Sequence, residues 1–396
     1  MKHSFKVLIV VVLLSFSIAI GFAVFSMEMQ VDKGDPIIHF FRPENEHAYF
    51  TKTYADGSPC NEDFKVITIG DPHLNAVPNN HLDGAILTVL ENMIKYEKPD
   101  LVVICGDVAL GIHAEKAIES LGELFQRNNQ YWGYALGNHD AEHESGPTRE
   151  ELIDIYARYE HCVITSAPGI SGEGNCIINI KNSRGKIIQS LVFIDSGAYL
   201  TPEICAEYGF KYKKDYDFIK YDQIEWYKSQ MREIRDKNGE MPNSIMFFHI
   251  PLKEFRTAYN QAVENDSVIF GARRESECDS PYNTGIFDAI LELGSTKAVV
   301  CGHDHVNDYC VDYMGVKLTY SLSLSYNSYF LRKDILHILA YQYGGKAQFN
   351  DGCTLLSIKM DGSLEIIPKY NQNNPSVFEG LTEKQRKDLY LDETLP

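Results

Sequence analysis

Residues 298–308 read "AVVCGHDHVND". The apolar run from Ala298 to Cys301 has the length of a strand buried on both faces, and it stops at Gly302. His303, Asp304 and His305 follow at once. A turn by itself is served by Asn-Gly or Pro-Asp, so two imidazoles one residue apart at a strand exit need another reason. Alternate residues at such an exit can point at two neighbouring targets.

The same pattern recurs along the chain. Apolar runs at 64–69 (FKVITI), 101–105 (LVVIC), 131–136 (YWGYAL), 191–194 (LVFI) and 245–248 (IMFF) also have strand length. Helical spacing lies between several of them: Ile86, Leu87, Leu90, Met93 and Ile94 within 82–95, and Ala114, Ala117, Ile118, Leu121, Leu124 and Phe125 within 114–125. This alternation predicts an α/β layered fold. FKVITI runs into Gly70-Asp71-Pro72-His73, LVVIC into Gly106-Asp107, YWGYAL into Gly137-Asn138-His139-Asp140, and IMFF into His249. In open α/β sheets, ligands bind beyond the carboxyl ends of the strands. Singly, each motif has a bland reading: a turn Asp with a surface His, or a satisfied core histidine at His249. Jointly, chance would have to place oxygen or imidazole donors at five strand exits.

The ordered set D-x-H, G-D, G-N-H-D, a lone His and G-H-x-H resembles the calcineurin-like metallophosphoesterase superfamily, from about Lys65 to about Tyr326. Within it, "FFHIPLKEF", "GHDHVND" and "QIEWY" (Gln223 to Tyr227) resemble the low-molecular-weight purple acid phosphatase-like branch. The resemblance implies a central β-sandwich flanked by helices, with a dinuclear metal site at the strand ends. By position, Asp71, His73, Asp107 and His305 would hold one ion. Asp107, Asn138, His249 and His303 would hold the other, with Asp107 bridging. His303 and His305 would then each face a different ion. Carboxylate and imidazole suit Fe, Mn or Zn. Two ions about 3.5–4 Å apart lower the pKa of a shared water toward about 7 and clamp the attacking and leaving oxygens. His139 would stabilise the phosphate or protonate the leaving oxygen, and Asp140 would orient it.

One position departs from the purple acid phosphatases. Their tyrosinate ligand comes three residues after the Asp of G-D, where this chain has Leu110. A centre without the purple band is therefore expected, unless Tyr309 or Tyr326 reaches in from elsewhere. Arg273 and Arg274 could clamp a phosphate, although a solvated loop pair is the commoner arrangement. The aromatic run from Tyr320 to Phe330 reads as strand and core packing, or as a pocket wall.

At the N-terminus, Lys2 and Lys6 precede an uncharged apolar run from Val7 to Met27. A secretory apolar region is usually about 7–15 residues and a membrane span about 20, so both a cleaved signal and an uncleaved anchor remain open. Either places the catalytic domain outside the cytosol. The nine cysteines are then read in an oxidising setting. Cys105 and Cys301 end apolar runs and read as buried thiols. Cys60, Cys162, Cys176, Cys278, Cys310 and Cys353 are the disulfide candidates, with connectivity open. Against 55 acidic residues stand 37 basic ones, a net charge of −18, which weighs against nucleic acid as a partner. The expected organisation is a targeting segment at 1–26, an extension at 27–60, a catalytic domain at 61–370 and a polar tail at 371–396. The expected activity is an exported, metal-dependent hydrolysis of phosphomonoesters. Diesters of nucleotides or lipid head groups, and a membrane-anchored binding protein with a vestigial site, are the alternatives.

Overall fold

The five site-bearing runs all become strands in the computed structural model, which describes residues 34–78, 80–328 and 350–389. The apolar run at Val7–Met27 lies outside the described residues. Among the described residues, no helix is long and apolar enough to cross a membrane.

Fourteen strands are described: β1 (Ile37–Phe41), β2 (Ala48–Thr53), β3 (Phe64–Ile69), β4 (Leu101–Cys105), β5 (Trp132–Ala135), β6 (Cys176–Lys181), β7 (Ile187–Phe193), β8 (Asn243–Phe247), β9 (Val268–Phe270), β10 (Thr296–Cys301), β11 (Cys310–Tyr313), β12 (Val316–Tyr320), β13 (Gly352–Ile358) and β14 (Leu364–Tyr370). Eight helices accompany them: α1 (His81–Glu97), α2 (Ala114–Arg127), α3 (Arg149–Tyr156), α4 (Pro202–Glu207), α5 (Tyr221–Asn238), α6 (Glu254–Glu264), α7 (Ile286–Leu293) and α8 (Glu383–Asp388). One sheet has the order β1-β2-β6-β7-β8-β10-β12-β11-β9, the other β14-β13-β3-β4-β5. The pairs β3–β4, β4–β5, β7–β8 and β8–β10 are parallel, so the strand exits in each sheet open along one edge.

Strand alternation builds the layers. In the larger sheet, Leu191, Phe193, Ile245, Phe247, Ala298 and Val300 face the core shared with the smaller sheet, α1 and α2. Their neighbours Val192, Ile194, Met246, Phe248, Val299 and Cys301 face the other way, onto α5, α6 and α7. The expected α/β fold with a helix-flanked β-sandwich is present. Helix ends follow sequence signals: Asn80 caps α1 by accepting the Leu82 N–H, and Thr148 with Glu151 forms a capping box on α3.

The chain divides into a small unit, with residues 34–37 and Lys52–Cys60 described, and a large one that joins Ile38–Thr51 to the chain from Asn61 onward. Most of β1 and β2 thus belongs to the large unit. In the segment read as a polar tail, Val377, Phe378, Leu381 and Leu389 are buried in the main core. The disulfide reading also changes. Cys162, Cys176, Cys278, Cys310 and Cys353 stand as thiols, and all but Cys278 are buried. Cys105 and Cys301 are fully buried thiols, as expected.

Candidate metal centre

The exits of β3, β4 and β5 from one sheet and of β8 and β10 from the other converge. Backbone hydrogen bonds lace them: Gly70 N–H to Leu322 C=O at 2.8 Å, His73 N–H to Asp107 C=O at 3.0 Å, and Gly302 N–H to His249 C=O at 3.1 Å. Two glycines make this approach possible. A Cβ on Gly106, whose φ is +88°, would lie 2.2 Å from His249 Nδ1, and one on Gly137 would lie 2.0 Å from Asp107 Oδ1. Asp71, His73, Asp107 and His303 have φ of 54°, 47°, 49° and 78°, a left-handed conformation costing on the order of 1–3 kcal/mol each. Hydrogen bonds hold it in place. The His303 N–H donates to Asp71 Oδ1 at 3.0 Å, and the His139 N–H to Asp107 Oδ1 at 2.8 Å.

The side chains form two groups that share Asp107. Asp71, His73, Asp107 and His305, all buried, each bring one donor atom to within 4.8 Å of the others; so do Asp107, His249 and His303. Asn138 joins the second group, its Oδ1 3.1 Å from His249 Nε2. Asp107 Oδ2 stands 3.2 Å from His249 Nε2 and 3.6 Å from His73 Nε2. His73 and His305 face each other Nε2 to Nε2 at 3.0 Å. All seven residues expected as ligands are thus in one cluster.

The donor chemistry fits cations. His249 Nδ1 donates to the Cys105 carbonyl at 2.8 Å, which turns Nε2 toward the cluster. Around Nε2 stand Asp107 Oδ2, Asn138 Oδ1 at 3.1 Å and His303 Nδ1 at 3.2 Å. One ring proton can satisfy only one of these three, whereas a cation can use every lone pair. Nδ1 of His73 and Nε2 of His303 are buried without a hydrogen-bond partner, so hydrogen bonding alone does not account for how these rings are set.

The electrostatics agree. Burial pushes the His249 pKa down, but Asp107 and then Asp71 outweigh it and raise it to about 9: the two carboxylates draw positive charge to this position. Burial drives Asp107 upward, yet His249, with His73 and His139, holds it well below the usual range. Burial lifts Asp71 well above its usual value against the pull of His249. It lowers His73 to about 4 and His303 and His305 well below their usual value, which favours neutral imidazoles able to act as ligands.

His139 lies at the rim, its side chain 30% exposed and its ring centroid 5.3 Å from that of His73. Asp140 does not orient it. The Asp140 side chain is buried, and its two oxygens accept the Ala109 N–H at 2.9 Å and the Gly137 N–H at 2.7 Å. Neighbours in a tight turn point to different sides, so this carboxylate braces the loops after β4 and β5 from below. The carboxylate on His139 Nδ1 is Glu142. Glu142 also accepts from the Tyr199 hydroxyl at 3.2 Å, and that hydroxyl accepts from Asn138 Nδ2 at 2.8 Å. Sequence reasoning missed Glu142 and Tyr199. The i, i+3 spacing of His139 and Glu142 across a turn was a usable signal; nothing local marked Tyr199.

The remaining tempting residues are engaged elsewhere. Arg274 pairs with Asp308, and Arg273 bonds Asn260 at 3.0 Å. Asp304 turns away from the cluster and accepts from the Tyr320 hydroxyl at 2.5 Å. The Tyr309 hydroxyl donates to Glu277 at 2.9 Å and that of Tyr326 to Asp351. Tyr320 and Tyr326 are buried, so this part of the aromatic run is core packing.

Two sheets whose exits gather Asp, Asn and His into two groups around one carboxylate form a buried donor set with room for two metal ions. The chain belongs to the calcineurin-like phosphoesterase family, whose model matches residues 64–307. It is 32% identical over 262 residues to probable inactive purple acid phosphatase 14 of Arabidopsis thaliana, covering 61% of this chain and 62% of that protein. It is 28% identical over 301 residues to probable inactive purple acid phosphatase 29 of the same plant, covering 68% and 74%. It is 27% identical over 275 residues to phosphatase DCR2 of Saccharomyces cerevisiae, covering 63% and 45%. The match therefore spans about three fifths of the first of these relatives and under half of the last.

Proposed function

We propose that this chain hydrolyses phosphomonoesters, using two metal ions held by the seven clustered residues. Asp71, His73, Asp107 and His305 would hold one ion, and Asp107, Asn138, His249 and His303 the other. The ions would be Fe, Mn or Zn, which this set of oxygen and imidazole donors suits. The observation that carries the reading is the sharing of Asp107 between two buried donor groups. When bound, such a pair supplies Lewis-acid charge for phosphoryl oxygens and acidifies water. The protein's own part is positional. The Cys105 carbonyl aims His249 through Nδ1, and Asp71 and Asp107 hold the backbone N–H groups of His303 and His139. Glu142 holds His139 by Nδ1, leaving Nε2 to give a proton to the departing oxygen. The basic start and the apolar run from Val7 to Met27 support export, as a secreted or membrane-anchored protein with its catalytic domain outside the cytosol.

A second reading has support in two of the relatives' names, which carry the word inactive. On that reading the cluster is vestigial and the chain binds without turnover. The complete donor set and the yeast relative's name favour an enzyme. The test is hydrolysis of phenyl phosphate and of diphenyl phosphate by the metal-loaded chain. Faster turnover of the monoester is expected. Preference for the diester would make the chain a phosphodiesterase, and two bound ions with no turnover of either ester would favour the vestigial site.

A further inference from the structure

Between β7 and α5 the chain makes an excursion with a small core of its own. Leu200, Cys205 and Phe218 are buried there, and Tyr208, Phe210 and Tyr282 pack against them. The excursion delivers two tyrosines to the metal cluster. Tyr199 and Tyr216 pair across an isolated antiparallel bridge, their rings stacked with centroids 5.8 Å apart and planes 26° apart. The Tyr216 ring meets the His303 ring edge to face at 4.4 Å. The Tyr199 hydroxyl accepts from Asn138 and donates to Glu142, and the ring itself rests on that of Tyr216, so the ring is held from both its tip and its back. Yet Tyr199 is 38% exposed. A fixed aromatic surface therefore stands half open at the rim of a site otherwise made of carboxylates, amides and imidazoles.

Its position matters for the reaction. Glu142 touches both the Tyr199 hydroxyl and His139 Nδ1. A group leaving toward His139 thus departs next to the Tyr199 ring. We propose that Tyr199 and Tyr216 form a stacking platform that selects phosphoesters carrying a flat aromatic group on the leaving oxygen. Offset stacking against a ring already stacked from behind suits a planar partner and gives nothing comparable to a small alkyl group. The inference rests on the phosphohydrolase reading above, as a statement about its substrate class.

The test measures binding, so it does not depend on turnover. The metal-loaded full chain is titrated calorimetrically with phenylphosphonate and with methylphosphonate, which present the same anion with and without a ring. Wild type should prefer phenylphosphonate by about 3- to 10-fold, the scale of one aromatic pair. Tyr199→Phe keeps the ring and should keep the preference. Tyr199→Leu should lose it. Both variants lack the hydroxyl, so any change transmitted through Asn138 is common to them. Equal affinity of wild type for the two phosphonates overturns the platform, and so does an undiminished preference in Tyr199→Leu. A phenyl preference without hydrolysis of any ester upholds the platform and overturns the enzyme reading. Failure of both phosphonates to bind overturns the two together.

Discussion

At the scale of single residues, the site separates groups that would hold metal from groups that would move a proton. His139→Ala removes a rim imidazole and leaves all seven clustered donors in place. It should keep its metal content and lose turnover by about 10²–10⁴, with esters of poor leaving groups suffering most. Glu142→Gln should cost less, about tenfold, because the amide still meets Nδ1 and holds the ring, though by a weaker bond than a carboxylate makes. Steady-state kinetics across a leaving-group series checks both, and a uniform small loss in His139→Ala would make that residue a packing group. Colour gives a second check. Leucine at position 110 offers no donor atom, and the hydroxyls of Tyr199, Tyr309 and Tyr326 are bonded to other partners. Oxidised, iron-loaded protein should therefore lack the purple charge-transfer band in its visible spectrum. The seven donors were legible in the sequence because each directly follows an apolar run in a short motif. Glu142 was missed because Asp140, the nearer carboxylate, drew the role, although its two oxygens are taken by backbone N–H groups. Tyr199 and Tyr216 come from a distant loop, where no spacing rule connects them to the site.

At the scale of elements, the centre exists because loops from two sheets come closer than side chains normally allow. Gly137→Ala would place a Cβ 2.0 Å from Asp107 Oδ1 and 2.2 Å from the Asp107 backbone nitrogen. One of the two loops must move, so stability should fall by about 1–3 kcal/mol and metal content with it. Chemical denaturation with elemental analysis reads both; an Ala variant of unchanged stability and metal content would show the contact to be slack. The strands around the site were easy to read. FKVITI and LVVIC coincide with β3 and β4, and AVVC lies within β10, because strands buried on both faces form unbroken apolar runs. The outer strands were not. β14 has no buried position and begins with half-buried and exposed residues in alternation at a sheet edge, and β9 has only three residues. Their place comes from pairing with distant strands, which leaves little trace in local composition.

At the scale of the whole molecule, metal and fold are linked. Four left-handed residues and a set of mutually facing donors are tolerable in the native chain when cations hold them together, and the unfolded chain offers no such cluster. Ions at about a thousand times their dissociation constant would add roughly 4 kcal/mol of stability. A chelator should therefore lower the melting temperature, and adding metal back should restore it; an unchanged melt would separate the fold from the ions. The central claim is that Asp107 belongs to two metal positions at once. Its most direct test is elemental analysis of purified wild-type protein beside Asp107→Asn, with circular dichroism confirming that both are folded. The account predicts two ions per chain in the wild type and the loss of at least one in the variant. Two tightly held ions in Asp107→Asn, or none in the wild type after loading, would contradict it.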